Sequence, residues 1–224
     1  VIAQDTYITP MAGVSSGTFA VDPTSVALTS ANFPVSAIST SYMLSTPYSG
    51  TFEVGEGKTY TSLTDTTGLF NTLNQGIQTG NINIIVTSHL TENGAFPLNA
   101  MVLEGGNDFT ISIKPSTDSL HNITGTKDGR GLIRFIGTDR VNIDGRYNNS
   151  GKYLRFANSS ESASSSVIQF VGNPTVSPAT NNTVRNTIIQ AVYASPINYG
   201  VLVNGSETSA TTGGADNDNI SILE

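Results

Sequence analysis

The chain contains no cysteine and few charged residues, which make up only 12% of its 224 positions. Without cysteine there are no disulfide bonds, no thiolate nucleophile and no cysteine metal ligands. The net charge of −7 argues against a nucleic-acid partner, because binding to phosphate requires a basic surface. No apolar run approaches the roughly 20 residues of a membrane-spanning helix. The sequence therefore predicts no nucleic-acid partner and no membrane span.

The composition favours a folded chain made of β-strands. Hydrophobic residues make up 37% of the chain, and 22 glycines stand among many serines, threonines and asparagines. This is too apolar and too low in charge for a wholly disordered protein. Many β-branched and turn-forming residues instead predict an all-β fold whose surface carries hydroxyl and amide groups.

One segment, GLIRFIGTDRVNIDGR at 131–146, has the pattern of two short strands that meet at a corner. Weaker copies of the pattern follow at 167–189 and 200–223. Aligning Val141 with Val184 and Ile220 gives steps of about 43 and 36 residues, within the range expected of stacked repeats. Strands joined by corners, with no helix between them, predict a solenoid of β coils.

Three short motifs, LIRF, YLRF and VIQF, place an aromatic residue two positions after an aliphatic one. Side chains alternate between the two faces of a strand, so both apolar residues of each motif are expected inside the solenoid. The polar residue between them is then expected on the outer face. These outward residues are Arg134, Arg155 and Gln169.

The first 47 residues differ from the rest of the chain because they contain no Lys or Arg and are rich in Ser, Thr and Pro. We interpret 1–47 as an extended arm of short strands that packs on a β-helix face or edge. A flexible linker is the alternative. The opening VIAQ fits either the stub of a signal peptide or an ordinary first strand.

A strand at Thr51–Val54 and a short helix are predicted to begin the second part of the chain, 48–224. Leu69, Phe70, Leu73 and Ile77 recur at helical spacing. Because the end of a solenoid exposes apolar core, this amphipathic helix is expected to cap it. The nearby VGEGK lacks the full spacing of a phosphate-binding loop, so nucleotide binding is not expected.

A family resemblance covers roughly 48–224. The segments that carry it are SGTFEVGEGKTYTSL, GLFNTLNQG, FTISIKPS, RVNIDGR, VIQFVG and NNTVRNTII. Together they resemble the right-handed parallel β-helix modules, pectate-lyase-like in fold, of large secreted and cell-surface proteins of Bacteroidetes. Many of those proteins are adhesins or surface filaments exported by the type IX secretion system. The resemblance implies an extracellular, cell-surface location. Proteins exported by this system carry a sorting domain at the C-terminus, whereas this sequence ends with NISILE, so the chain is expected to be incomplete.

Enzymes with the pectate-lyase-like fold indicate which residues would be catalytic if this chain were an enzyme. Lyases of this fold bind calcium through Asp or Glu beside an Arg or Lys that abstracts a proton, and hydrolases of this fold use paired Asp residues. Asp139 and Asp144 flank turns, where Asp commonly binds backbone, so a structural role is favoured for both. The candidate catalytic residues are Asp139, Arg140, Asp144, Lys152 and Arg155.

No cofactor is expected, although calcium is an alternative. The loop GGADNDN at 213–219 resembles a calcium-binding loop in composition, with Asp216 and Asp218 as candidate ligands. A plain loop between coils is the favoured interpretation. His89 and His121 lack the spacing of metal ligands, so no zinc site is predicted.

Seven of the ten basic residues lie between Lys127 and Arg155. This concentration either offsets the acidic ends of the chain, the favoured interpretation, or binds an acidic polysaccharide.

The sequence therefore predicts a non-catalytic extracellular structural or adhesive protein, either a surface adhesin or a building block of a filament. Its expected partners are itself or further β-helix coils of the same polypeptide, with cell-surface or environmental polysaccharide as a further candidate. The alternatives are a polysaccharide lyase or glycoside hydrolase on a β-helix, and a carbohydrate-binding module.

Overall fold

The computed structural model of the chain describes residues 46–103, 106–172, 177–192, 198–214 and 217–224. The predicted arm, 1–47, lies outside this range except for Thr46 and Pro47, which belong to the first strand. The helix α1 spans Leu69–Leu73. The strands are β1 (Thr46–Val54), β2 (Gly76–Val86), β3 (Leu90–Glu92), β4 (Leu98–Asn99), β5 (Val102–Leu103), β6 (Ile111–Pro115), β7 (His121–Gly125), β8 (Gly131–Ile136), β9 (Val141–Asp144), β10 (Leu154–Asn158), β11 (Ser166–Val171), β12 (Thr183–Arg185), β13 (Ile188–Ala191), β14 (Tyr199–Asn204) and β15 (Ser221–Leu223).

The strands form three sheets in which all neighbours run parallel. Sheet A has the order β1-β2-β6-β9-β12-β15, with β5 also beside β2, sheet B has β3-β7-β10-β13, and sheet C has β4-β8-β11-β14. Each pass of the chain visits sheet A, then sheet B, then sheet C, and four such passes follow one another. The predicted all-β parallel solenoid is confirmed.

The core is built from side chains that lie in register on successive turns. On sheet A the inward row is Ile84, Ile113, Ile143 and Val184. On sheet C, Phe135 stacks on Phe170 with their ring centroids 5.1 Å apart. Each fully buried side chain of this kind stabilises the fold by about 1.5–3 kcal/mol. The inward rows therefore hold neighbouring turns together.

The predicted inward positions are confirmed, but those of YLRF belong to a different sheet from those of LIRF and VIQF. Ile133 pairs with Ile168 on sheet C, whereas Leu154 and Phe156 lie on sheet B. All four side chains are fully buried. Leu154 therefore points into the same core as Ile133 without stacking on it.

The predicted alignment of Val141, Val184 and Ile220 is wrong by two residues at each step. Val184 pairs with Ile143 on one side and with Ile222 on the other. A shift of two residues leaves every side chain on the same face of its strand, so alternation alone does not reveal the error. The register depends on the lengths of the loops, which differ from one turn to the next.

The helix is shorter than predicted, and Ile77 lies in β2 rather than in α1. The side chain of Asn74, just after the helix, accepts a hydrogen bond from Asn99 N at 2.9 Å and donates one to Pro97 O at 2.8 Å. These contacts place α1 over β4, the first strand of sheet C. Leu69, Phe70 and Leu73 are fully buried there, so α1 closes the core at this end of sheet C. No helix among the described residues is long and apolar enough to cross a membrane.

Arg134 and Gln169 are buried, which contradicts their predicted exposure on the outer face. Only 2% of Arg134 and 1% of Gln169 is exposed. Arg134 donates to Gly94 O at 2.8 Å and to Ala95 O at 3.2 Å, and its Nε lies 3.1 Å from a carboxylate oxygen of Glu207. Burial lowers the pKa of the Arg134 guanidinium, and the charge of Glu207 partly offsets this effect. Both side chains do leave the core, but loops from other turns cover the outer face of sheet C.

Gln169 is enclosed in the same way. Its Oε1 accepts a hydrogen bond from Gly131 N at 2.8 Å, and its Nε2 donates to Ser206 O at 3.0 Å. The segment that follows β14 therefore contacts Arg134 through Glu207 and Gln169 through Ser206.

Candidate functional site

The outer face of sheet B carries two rows of side chains that repeat with a constant step. The first row contains Asn122, Arg155 and Ile188, which are paired along β7, β10 and β13. The second contains Thr91, Thr124, Ala157 and Gln190. The contacts that Asn122 makes with His89 on one neighbouring turn and with Arg155 on the other also join residues 33 positions apart. The constant step stacks equivalent positions above one another, at about 4.8 Å per strand.

A groove of about 310 Å³ lies on this face. Gly125 and Ala157 are the smallest of its lining residues. A side chain at Gly125 is excluded, since its Cβ would lie 1.9 Å from Glu92 O. The lining residues are Thr91, Thr124, Gly125, Arg155, Ala157, Asn158, Ser159, Gln190 and Val192. The groove therefore offers hydroxyl groups, amides and one guanidinium.

Arg155 lies at the middle of this face and is held by two amide side chains. Its guanidinium donates to Gln190 Oε1 at 2.5 Å on the next turn and to Asn122 Oδ1 at 3.3 Å on the previous one. Asn122 N in turn donates to His89 Nδ1 at 3.0 Å. The half-buried guanidinium is thus oriented by neutral acceptors from both neighbouring turns.

Asp139 and Arg140, both candidate catalytic residues, lie at the corner between sheets C and A. Asp139 Oδ1 accepts hydrogen bonds from Thr180 N at 2.6 Å and Thr180 Oγ1 at 2.9 Å. Arg140 forms an ion pair with Asp108 and has a backbone φ of 56°. Both side chains therefore hold the corner to neighbouring segments.

Asp144 and Lys152 have ionic partners elsewhere. Asp144, at the end of β9, lies 2.9 Å from Arg146 and 2.9 Å from Arg185. Burial raises the pKa of the Asp144 carboxyl, but hydrogen bonds from Arg146 and the charge of Arg185 outweigh this effect and lower it below the usual value. Asp144 is therefore an ion-pair partner of two arginines. Lys152 Nζ lies 3.0 Å from a carboxylate oxygen of Glu224.

The structure thus distributes the five candidate catalytic residues over different parts of the solenoid. Asp139 and Arg140 share the corner, Asp144 ends a strand of sheet A, and Lys152 stands in the loop before β10. Only Arg155 belongs to the groove on sheet B. Each of the two Asp side chains is bound by neighbouring residues.

The candidate calcium ligands are only partly described. Asp216 lies outside the described residues, and the backbone oxygen of Asp218 accepts a hydrogen bond from Asn181 N at 3.0 Å. Within the described ranges, no three His, Asp or Glu side chains are grouped to hold a metal ion. His121, in β7, is buried, and burial followed by the charge of His89 lowers its pKa.

Thr91, Thr124, Ala157 and Gln190 were missed as site residues. The sequence does contain a signal for them, because they follow one another at the 33-residue step that also joins Asn122 to Arg155. Neither polarity nor local pattern distinguishes them from other outward strand residues. The repeat spacing of sheet B alone would have grouped them.

Comparison of the chain with protein families, with curated proteins and with solved structures found no match.

Proposed function

We propose that the chain is a non-catalytic extracellular structural and adhesive protein, a surface adhesin or a building block of a filament, whose sheet B outer face binds polysaccharide. The observation that supports this most directly is the groove lined by Thr91, Thr124, Arg155 and Gln190. A solenoid presents equivalent side chains at a constant spacing, so its surface suits a long ligand with a repeating structure. Hydroxyl and amide groups are suitable partners for sugar hydroxyls.

The family is part of the same proposal. The chain is a right-handed, pectate-lyase-like β-helix module of a Bacteroidetes cell-surface protein exported by the type IX system. The segment VGEGKTYTSL leads into α1, and NNTVRNTII forms β12 and β13, in keeping with that resemblance. The parallel three-sheet solenoid supports the coarser part of the assignment.

Replacing Ala157 with Ile is expected to weaken polysaccharide binding at least about tenfold, because the larger side chain fills the floor of the groove. Binding to a panel of immobilised neutral and acidic polysaccharides would be measured by biolayer interferometry. Thr183→Ile is the matched control, since it adds the same side chain on sheet A and should leave binding unchanged.

Two results would contradict the proposal. A wild-type chain that binds none of the polysaccharides would overturn the adhesive function. Release of unsaturated uronate or new reducing ends from the same panel, abolished by Asp139→Asn, would favour the lyase or hydrolase alternative instead.

The filament interpretation rests on the last turn of the described chain. Exposed large hydrophobic side chains collect there, on β13, β14 and β15. They are Ile188, Val203, Ile222 and Leu223. Among the described residues these strands are the last of their sheets, and a strand edge that lacks a partner is a template for pairing with another chain. We propose that a second copy of the chain docks on this edge.

Ile222→Lys is expected to reduce self-association, because a charged side chain on an edge strand opposes pairing with another strand. Sedimentation velocity over a range of concentrations would show this as a lower average mass than that of the wild type. Val102→Lys, at another exposed hydrophobic side chain on β5, is the control. A wild-type chain that stays monomeric at every concentration would overturn the filament interpretation and leave the adhesive one standing.

A further inference from the structure

We infer that the groove on sheet B recognises an anionic group of a polysaccharide, a carboxylate or a sulfate, through the guanidinium of Arg155. This inference rests on the proposed polysaccharide binding and assigns the chemical class of the ligand and the residue that selects it.

Arg155 differs from most basic residues of the chain in having no anionic partner among the described residues. Seven of the ten Lys and Arg side chains lie within ion-pair distance of a carboxylate. The other three are Lys114, Lys127 and Arg155. Burial, followed by the charges of Arg134 and Arg130, lowers the pKa of Lys127. Of the three, only Arg155 lines the groove.

The guanidinium of Arg155 is oriented without being neutralised. Its two described acceptors, Gln190 Oε1 and Asn122 Oδ1, belong to uncharged amides. A guanidinium carries five N–H donors. The described residues use only some of these donors, so most of them remain for a ligand. Arg binds carboxylate and sulfate oxygens through paired N–H groups with fixed geometry. Holding the side chain in place beforehand reduces the entropy lost on binding.

The rest of the groove favours an anion over a neutral sugar. Among the described residues, none of the other eight that line the groove carries a formal charge, so an anionic ligand meets no carboxylate from them. None of these eight has an aromatic ring on which a sugar could stack. The net charge of −7 does not prevent an anion from binding in the groove, because exposed charges more than about 8 Å away are screened at physiological ionic strength.

Three polymers with one common backbone separate the possible ligands: dextran, carboxymethyl-dextran and dextran sulfate. The wild type is expected to bind at least one of the two anionic polymers and to bind dextran at least about tenfold more weakly. Arg155→Gln should lower affinity for the anionic polymer about tenfold or more, whereas Arg155→Lys should retain most of it. Affinity should also fall as salt is raised.

Lys114→Gln is the matched control, because it removes one positive charge from β6 on sheet A. Ala157→Asp is a second test variant that leaves Arg155 in place and supplies it with a carboxylate; it should abolish binding of the anionic polymer. Thermal unfolding would confirm that each variant is folded. A carboxylate ligand is indicated by preference for carboxymethyl-dextran, and a sulfate ligand by preference for dextran sulfate.

Three outcomes would overturn the inference. Equal affinity for dextran and the anionic polymers, unchanged in Arg155→Gln, would show a neutral-sugar site and leave the proposed function intact. An equal loss in Lys114→Gln and Arg155→Gln would show attraction by overall charge instead of a site. Failure to bind any of the three polymers would exclude an Arg155-dependent anion site, and the wider polysaccharide panel would then decide whether the adhesive function also fails.

Discussion

Replacing Phe135 with Asp is expected to unfold the solenoid. The Phe135 side chain is fully buried and lies between Phe170 and Phe70, with ring centroids 5.1 and 5.8 Å away. Loss of a buried Phe side chain costs about 3–5 kcal/mol, before the cost of a buried, unpaired charge is added. Single domains are stable by only about 5–15 kcal/mol, so this one change removes most or all of the stability.

Urea denaturation followed by circular dichroism would measure the effect. Phe135→Leu is the control, because it keeps an apolar side chain at the same position and should cost about 1–3 kcal/mol. Unfolding of Phe135→Asp and Phe135→Leu at the same urea concentration would contradict the burial of the Phe135 side chain in a core of stacked phenylalanines.

Arg134→Thr is expected to cost about 2–4 kcal/mol, because each buried acceptor left without its donor costs about 1–3 kcal/mol, whereas the ion pair with the partly exposed Glu207 adds little. The substitution leaves the carbonyl oxygens of Gly94 and Ala95 without their donor and Glu207 without its ionic partner. It also leaves a cavity under the loops that cover sheet C. If Arg134 were exposed on an outer face, as the sequence pattern predicts, the same substitution would cost under about 1 kcal/mol.

Arg155→Thr provides the matched comparison, because Arg155 occupies the corresponding outward position of its motif on sheet B. Its half-buried guanidinium binds two amide side chains and no others among the described residues, so the substitution should cost under about 1 kcal/mol. Equal destabilisation by Arg134→Thr and Arg155→Thr, measured as the free energy of unfolding in urea, would contradict the covered outer face of sheet C.

These two arginines show what the alternation of side chains along a strand predicts and what it does not. In both LIRF and YLRF the pattern correctly predicts that the flanking aliphatic and aromatic residues point into the core. It does not predict what lies over the other face. Arg134 is covered by residues about 40 positions before it in the chain and by Glu207 after it, whereas Arg155 opens onto a groove.

The candidate site was predictable only in part for the same reason. The sequence predicts Arg155 as a candidate residue but groups it with Asp139 and Asp144, which are near in sequence and lie on other parts of the solenoid. Its actual neighbours, Asn122 and Gln190, belong to the previous and next turns. In a solenoid, residues one turn apart are adjacent, so sequence proximity is a poor guide to the composition of a site.

The sequence by itself determined that the chain is an all-β solenoid, which residues of its strands point inward, and where the corner between β8 and β9 lies. These properties follow from local patterns of apolar, polar and turn residues. The tertiary structure decided the register between turns, the end of α1 at Leu73, the burial of Arg134 and the membership of the groove around Arg155. All four depend on loop lengths and on contacts between different turns, and period-two alternation within a strand carries no information about either.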